Sequence, residues 1–156
     1  MYNMTGQITK NFGWAEMERS STAVRLGIDN RVPEKYRENM ERLCKEVLQP
    51  IRDAWGNPIV ISSGYRCPRL NKAVGGAANS QHAFGSAADI HTVENTLTEN
   101  KKLWDVIITL ATTGKIKCRQ IIWEYGKKGV GMKWVHVSVN DSEHARQENK
   151  QIFVGV

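Results

Sequence analysis

Residues 119–139 read RQIIWEYGKKGVGMKWVHVSV. Two β-branched and aromatic runs, Arg119 to Tyr125 and Trp134 to Val139, flank the Gly- and Lys-rich GKKGVGMK, a pattern that predicts an antiparallel hairpin. Alternation along the second run puts Trp134, His136 and Ser138 on one face and Val135 and Val137 on the other. Working upstream, PIVISS (58–63) lies between Gly56-Asn57 and Gly64 and reads as a strand, as does Ser86 to His91. From Pro33 to Trp55, the residues Tyr36, Met40, Leu43, Val47, Leu48, Ile51 and Trp55 recur three or four apart, which predicts the main core helix. Pro33 suits its first turn and Gly56 its exit, while Pro50 is expected to kink or tighten the last turn. A second amphipathic helix is predicted over Glu99 to Thr113, with Leu103, Val106, Ile107 and Leu110 inward, Thr98 as cap and Gly114 as stop. Trp14 to Leu26 reads as one or two short helices on the same core. Helix, strand, long loop, strand, helix, strand, strand is not the alternation of a doubly wound sheet. It predicts an α+β fold, with helices packed against a small, mostly antiparallel sheet.

With 156 residues the chain is expected to form a single domain over 1–156, and no linker divides it. MYNMTGQITKNFGW lacks a basic segment followed by an apolar one, and nowhere do about 18 apolar residues run together. Neither a signal peptide nor membrane insertion is therefore expected, and the chain reads as cytoplasmic when made. Cys44, Cys67 and Cys118 are odd in number and form no C-x-x-C pair, which fits reduced thiols outside any metal site. A net charge of +6 points to a polyanionic partner, nucleic acid or the polymers of a cell envelope. No zinc-finger spacing, RNP-type strand or helix-turn-helix is evident, so nucleic acid is not expected. A monomer is.

Chemistry concentrates in the polar stretch Gly64 to Gly85, a length of loop that is usually functional. His82, in SQHAFGSAAD, stands seven positions before Asp89, with Gly85 between them to let the chain reverse. Together with His136 they form a sensible catalytic zinc set, two imidazoles and a carboxylate that leave a fourth position for water. Spacing alone is equally compatible with ordinary structural histidines. His91 is a rival ligand, because it follows Asp89 by two residues on the same strand face. His144, among DSEHARQENK, reads as part of a solvated charged face. Arg66 is either a surface arginine or a fork for a carboxylate. Glu124 is either a solvated strand end or a proton-transfer group whose pKa a cleft would raise.

SGYRCPRLNKAVGG (63–76), SQHAFGSAADI (80–90), QIIWEY (120–125) and WVHVS (134–138), in that order, resemble the zinc D-alanyl-D-alanine carboxypeptidase family, which includes phage and prophage cell-wall endolysins. The similarity extends upstream through FGWAEMERSSTAVRLGIDN (12–30) and VLQPIRDAWGNP (47–58). The resemblance implies the fold of the hedgehog signalling domain, a Zn2+ cofactor held by His82, Asp89 and His136, and Arg66 as the group that takes a substrate carboxylate. It demotes His91. Some relatives carry an acidic general base three residues before the last histidine, where this chain has Lys133, so the role falls to Glu124. The implied activity is hydrolysis of peptidoglycan stem peptides, as a carboxypeptidase or an endolysin-type endopeptidase reaching the wall once released. The alternative is a non-catalytic cell-wall-binding pseudoenzyme of the same fold.

Overall fold

A computed structural model of the chain describes residues 6–155. Residues 1–5, the start of the stretch read above for a leader, lie outside the described residues. Two short helices, α1 (Trp14–Glu18) and α2 (Ser21–Leu26), open the fold. Ser20 caps α2 by accepting from the Ala23 amide, and Gly27 closes it in a left-handed conformation.

The main helix begins as α3 (Glu34–Arg42), passes through a wider π turn (Leu43–Leu48) and ends as α4 (Gln49–Trp55). Pro50 has no N–H to return to the preceding turn, and the backbone widens upstream of it instead of tightening: the Gln49 amide reaches back to the Cys44 carbonyl. The apolar stripe keeps its purpose, since Met40, Leu43, Val47, Leu48 and Ile51 are fully buried. Burying each such side chain contributes roughly 1.5–3 kcal/mol.

Strand β1 (Ile59–Ser63) follows, then α5 (Pro68–Ala73), a single 3-10 turn (Gln81–Phe84) and β2 (Ala87–Thr92). The polar loop read over 64–85 thus contains two short helical pieces. The next helix, α6 (Leu97–Thr112), is capped by Thr96, whose side chain accepts from the Glu99 amide, two residues before the Thr98 expected as cap. Leu103, Trp104, Ile107 and Ala111 form its buried stripe. Strands β3 (Gln120–Glu124) and β4 (Trp134–Ser138) make the predicted antiparallel hairpin. A last strand, β5 (Lys150–Val154), was not anticipated.

The sheet has five strands in the order β1-β2-β4-β3-β5. Its pairings are antiparallel except between β3 and β5, which run parallel. One face, with Ala88, Ile90, Ile121, Trp123, Val135 and Val137, packs into the core that the helices complete. Trp104 of α6 meets Trp123 edge-on, with ring centroids 5.3 Å apart. This is the α+β arrangement the element order predicts. Among the described residues no helix is long and apolar enough to cross a membrane.

Candidate metal centre

The opposite face of the sheet carries the polar residues, and strand register decides which of them meet. Asp89 of β2 stands directly across from His136 of β4, which is in turn across from Ile122 of β3. Directly opposed residues project from the same face, so Asp89 and His136 point the same way. Glu124 pairs with Trp134, two residues from His136, and shares that face.

His82 arrives from the 3-10 turn rather than from the sheet. Gly85 ends that turn at φ +70°, where a Cβ would press on the Tyr36 carbonyl at 3.0 Å, so the reversal expected at this glycine is present. The Arg66 amide donates to the His82 carbonyl at 3.0 Å, tying the turn to the end of β1. The His82 ring nitrogen Nδ1 lies 2.7 Å from the Gly64 carbonyl. A carbonyl can only accept, so Nδ1 carries the hydrogen, and a neutral ring then presents the Nε2 lone pair inward.

Nε2 is buried without a hydrogen-bond partner and stands 3.3 Å from Asp89 Oδ1. His136 Nδ1 lies 3.0 Å from the same oxygen. The two imidazoles meet edge-on with centroids 5.1 Å apart. Among the described residues, His82, Asp89 and His136 are the group that could hold a metal ion, with ligand atoms within 4.8 Å of one another. A buried lone pair facing a carboxylate oxygen is electrostatically unfavourable unless a proton or a cation lies between them. Tetrahedral zinc, with bonds of about 2.0–2.1 Å, sets its ligand atoms roughly 3.3 Å apart, close to the 3.3 Å and 3.0 Å that separate Asp89 Oδ1 from the two imidazoles, so the donor set fits this ion in chemistry and in these two spacings. Burial works against the charge on Asp89, but positive charge beside it, carried by the imidazoles when no cation is bound, outweighs burial and holds the carboxyl well below the usual carboxylate range.

Around this group lies a cleft of about 510 Å³ whose lining includes Arg66, Ser80, Arg119, Glu124, Tyr125, Trp134 and His144. The Arg66 guanidinium donates from Nη2 to Ser80 Oγ at 3.3 Å, while its Nε is buried without a partner. Partial burial raises the Glu124 pKa, the Asp89 charge adds to the rise, and His136 opposes it. Trp134 and Tyr125 pack with ring centroids 4.9 Å apart at the cleft edge.

His91 does not join the group. It lies on the same face as Asp89, but two residues along a strand is about 6.6 Å, and its Nδ1 meets the Thr92 carbonyl instead. Cys44 and Cys118 are core residues, where burial pushes the Cys118 thiol up to about 12, and Cys67 caps α5. The solvated face expected for His144 is not what forms. Its side chain is 5 % exposed and lines the cleft. Asp141, the nearest other acid after β4, has a fully buried side chain bonded to Ser86, Gln81 and His144. Ser80 lies inside SQHAFGSAAD, where no role was read for it, and nothing local to DSEHARQENK marked His144.

Residues 10–123 match the family model described as peptidase M15. That stretch contains Arg66, His82 and Asp89 and stops short of Glu124 and His136, whose placement at the site rests on strand register. The zinc D-Ala-D-Ala carboxypeptidase of Streptomyces albus G is 48% identical over 44 residues, 28% of this chain. The match spans 17% of that protein's length.

Proposed function

The chain belongs to the peptidase M15 family, and from that premise we propose that it is a zinc-dependent peptidase hydrolysing peptidoglycan stem peptides beside a free carboxylate, with residues 1–156 acting as one catalytic domain. The observation that carries this reading is the meeting of His82, Asp89 and His136 in a cleft that Glu124 and Arg66 also line. His82, Asp89 and His136 would hold the metal. When bound, zinc supplies Lewis-acid polarisation of a carbonyl and acidifies water at neutral pH.

The remaining work belongs to the chain's own side chains. Arg66 presents a planar fork to a substrate carboxylate, and partial burial strengthens that pairing by excluding competing water. Glu124 takes a proton at its carboxylate and returns it to the departing amine. A carboxyl lifted above its ordinary pKa is better matched to both transfers near neutrality. Gly64, through its carbonyl, fixes the His82 ring so that Nε2 faces Asp89. With Glu124 on the same face as His136, the lysine at position 133 does not leave the site without an acid. A net positive surface favours residence on an anionic wall, which the protein reaches once released from the cell.

Incubation with a defined muropeptide, with and without chelator, tests the reading by mass spectrometry of the fragments. Loss of a terminal D-alanine identifies a carboxypeptidase, and an internal cut an endopeptidase. An intact muropeptide in the presence of saturating zinc would refute hydrolysis and leave a wall-binding module.

A further inference from the structure

Behind one wall of the cleft lies a polar cluster that the proposed chemistry does not use. Asp141 accepts from Ser86 Oγ in a short contact, from Gln81 Nε2 at 3.0 Å and from the Glu143 amide at 3.0 Å. His144 Nδ1 lies 2.8 Å from the same carboxylate, and His144 Nε2 lies 2.7 Å from the Asn79 carbonyl. Both partners are acceptors, so keeping both bonds requires a hydrogen on each ring nitrogen. Asp141 has no proton of its own to offer. Burial opposes its charge, but the hydrogen bonds from Ser86, Gln81 and His144 prevail and hold it below its ordinary pKa. Phe84 closes the other side of the imidazole edge-on, with centroids 5.3 Å apart.

What His144 grips is the end of an exposed loop. Residues 72–75 and 77–79 are exposed, so little packing holds them, and such segments open at low cost unless pinned. Asn79 immediately precedes Ser80, whose Oγ accepts from Arg66 Nη2. With Arg66 Nε unpartnered, Ser80 is the side chain that steadies this guanidinium.

We infer that His144 is a positioning residue for the carboxylate subsite: clamped by Asp141, it pins the Asn79 carbonyl and so holds Ser80 against Arg66. The inference rests on the proposed role of Arg66. Its force comes from a ring held at both nitrogens, one against the Asp141 carboxylate, whose side chain is buried, and the other against the loop carbonyl.

The test uses the zinc-loaded full chain as wild type, His144→Ala and His144→Gln. Three quantities are measured: zinc content, amide hydrogen exchange across residues 76–81, and KM and kcat for a stem peptide with either a free or an amidated carboxylate. His144→Ala is expected to keep its zinc and to exchange faster over 76–81. Its KM for the free-carboxylate peptide rises on the order of tenfold with kcat within about twofold, and its KM for the amidated peptide does not change. His144→Gln can keep one bond but not both, and its KM falls between the other two. Unchanged exchange over 76–81 would overturn the clamp, and so would a parallel loss of zinc and kcat, which would make the cluster a support for the His82 turn. If wild type itself shows no preference for the free carboxylate, the Arg66 reading fails, while the exchange data still decide whether His144 pins the loop.

Discussion

Replacing Gly64 with alanine should damage the fold and the metal group together, and by a calculable amount. Gly64 follows β1 and runs against the end of α1, where a Cβ would collide with the backbone carbonyl of Met17. The obstacle is main chain and cannot swing aside. Its φ is not in the left-handed region, so strain from the contact alone is at issue. Overpacking of this kind costs about 1–3 kcal/mol. Moving the chain apart also weakens the bond from the Tyr65 amide to the Met17 carbonyl, now 2.8 Å, a further loss of roughly 0.5–1.5 kcal/mol. A total near 2–4 kcal/mol corresponds to a fall in Tm of about 5–15 °C for a domain of this size. The Gly64 carbonyl also holds His82 Nδ1, and loss of such a supporting bond typically weakens metal binding about 10–100-fold. Thermal melting of metal-free protein isolates the first effect, and zinc titration against a competing chelator isolates the second. A Gly64→Ala protein with wild-type Tm and wild-type zinc affinity would refute both the close approach and the orienting role of this carbonyl.

Metal analysis of alanine variants should find zinc lost from His82→Ala, Asp89→Ala and His136→Ala and kept by His91→Ala; full zinc in His136→Ala would show the wrong set. Arg66→Ala should fold and hold zinc while losing most activity, and Arg66→Lys should rescue poorly because it restores charge without the planar fork. Equal activity of Arg66→Lys and wild type would rule out bidentate recognition. Glu124→Gln should fold and bind zinc normally yet lose about two to four orders of magnitude in turnover. A near-wild-type rate would exclude Glu124 and reopen the search, although Asp141, buried in its own network, would make a poor substitute.

Much of this protein is legible in its chain because the signals are local. The apolar stripe of Pro33 to Trp55, the alternation of WVHVS and the glycines at 56, 85 and 114 each state a backbone preference within a few residues. The structure follows them. Where it departs, the cause lies outside the window. Pro50 announces a missing hydrogen bond, but whether the helix kinks, tightens or widens depends on the packing of Leu43 to Leu48 against the rest of the core. The strand at Lys150–Val154 follows a charged stretch and exists because β3 offers an open edge for parallel pairing.

The metal group divides the same way. Residue types at 82, 89 and 136 name a chemistry, but their meeting depends on the β2–β4 register, and a one-residue slip would send His136 into the core. Glu124 owes its place on the cleft side to the register of β3 on β4. His144 shows the limit most clearly. Its neighbours in sequence are charged and soluble, which correctly describes their backbone setting, yet its ring bonds to a carbonyl 65 residues away. Local composition records what a segment can tolerate. Which partner a side chain finds is decided only when distant segments close on one another.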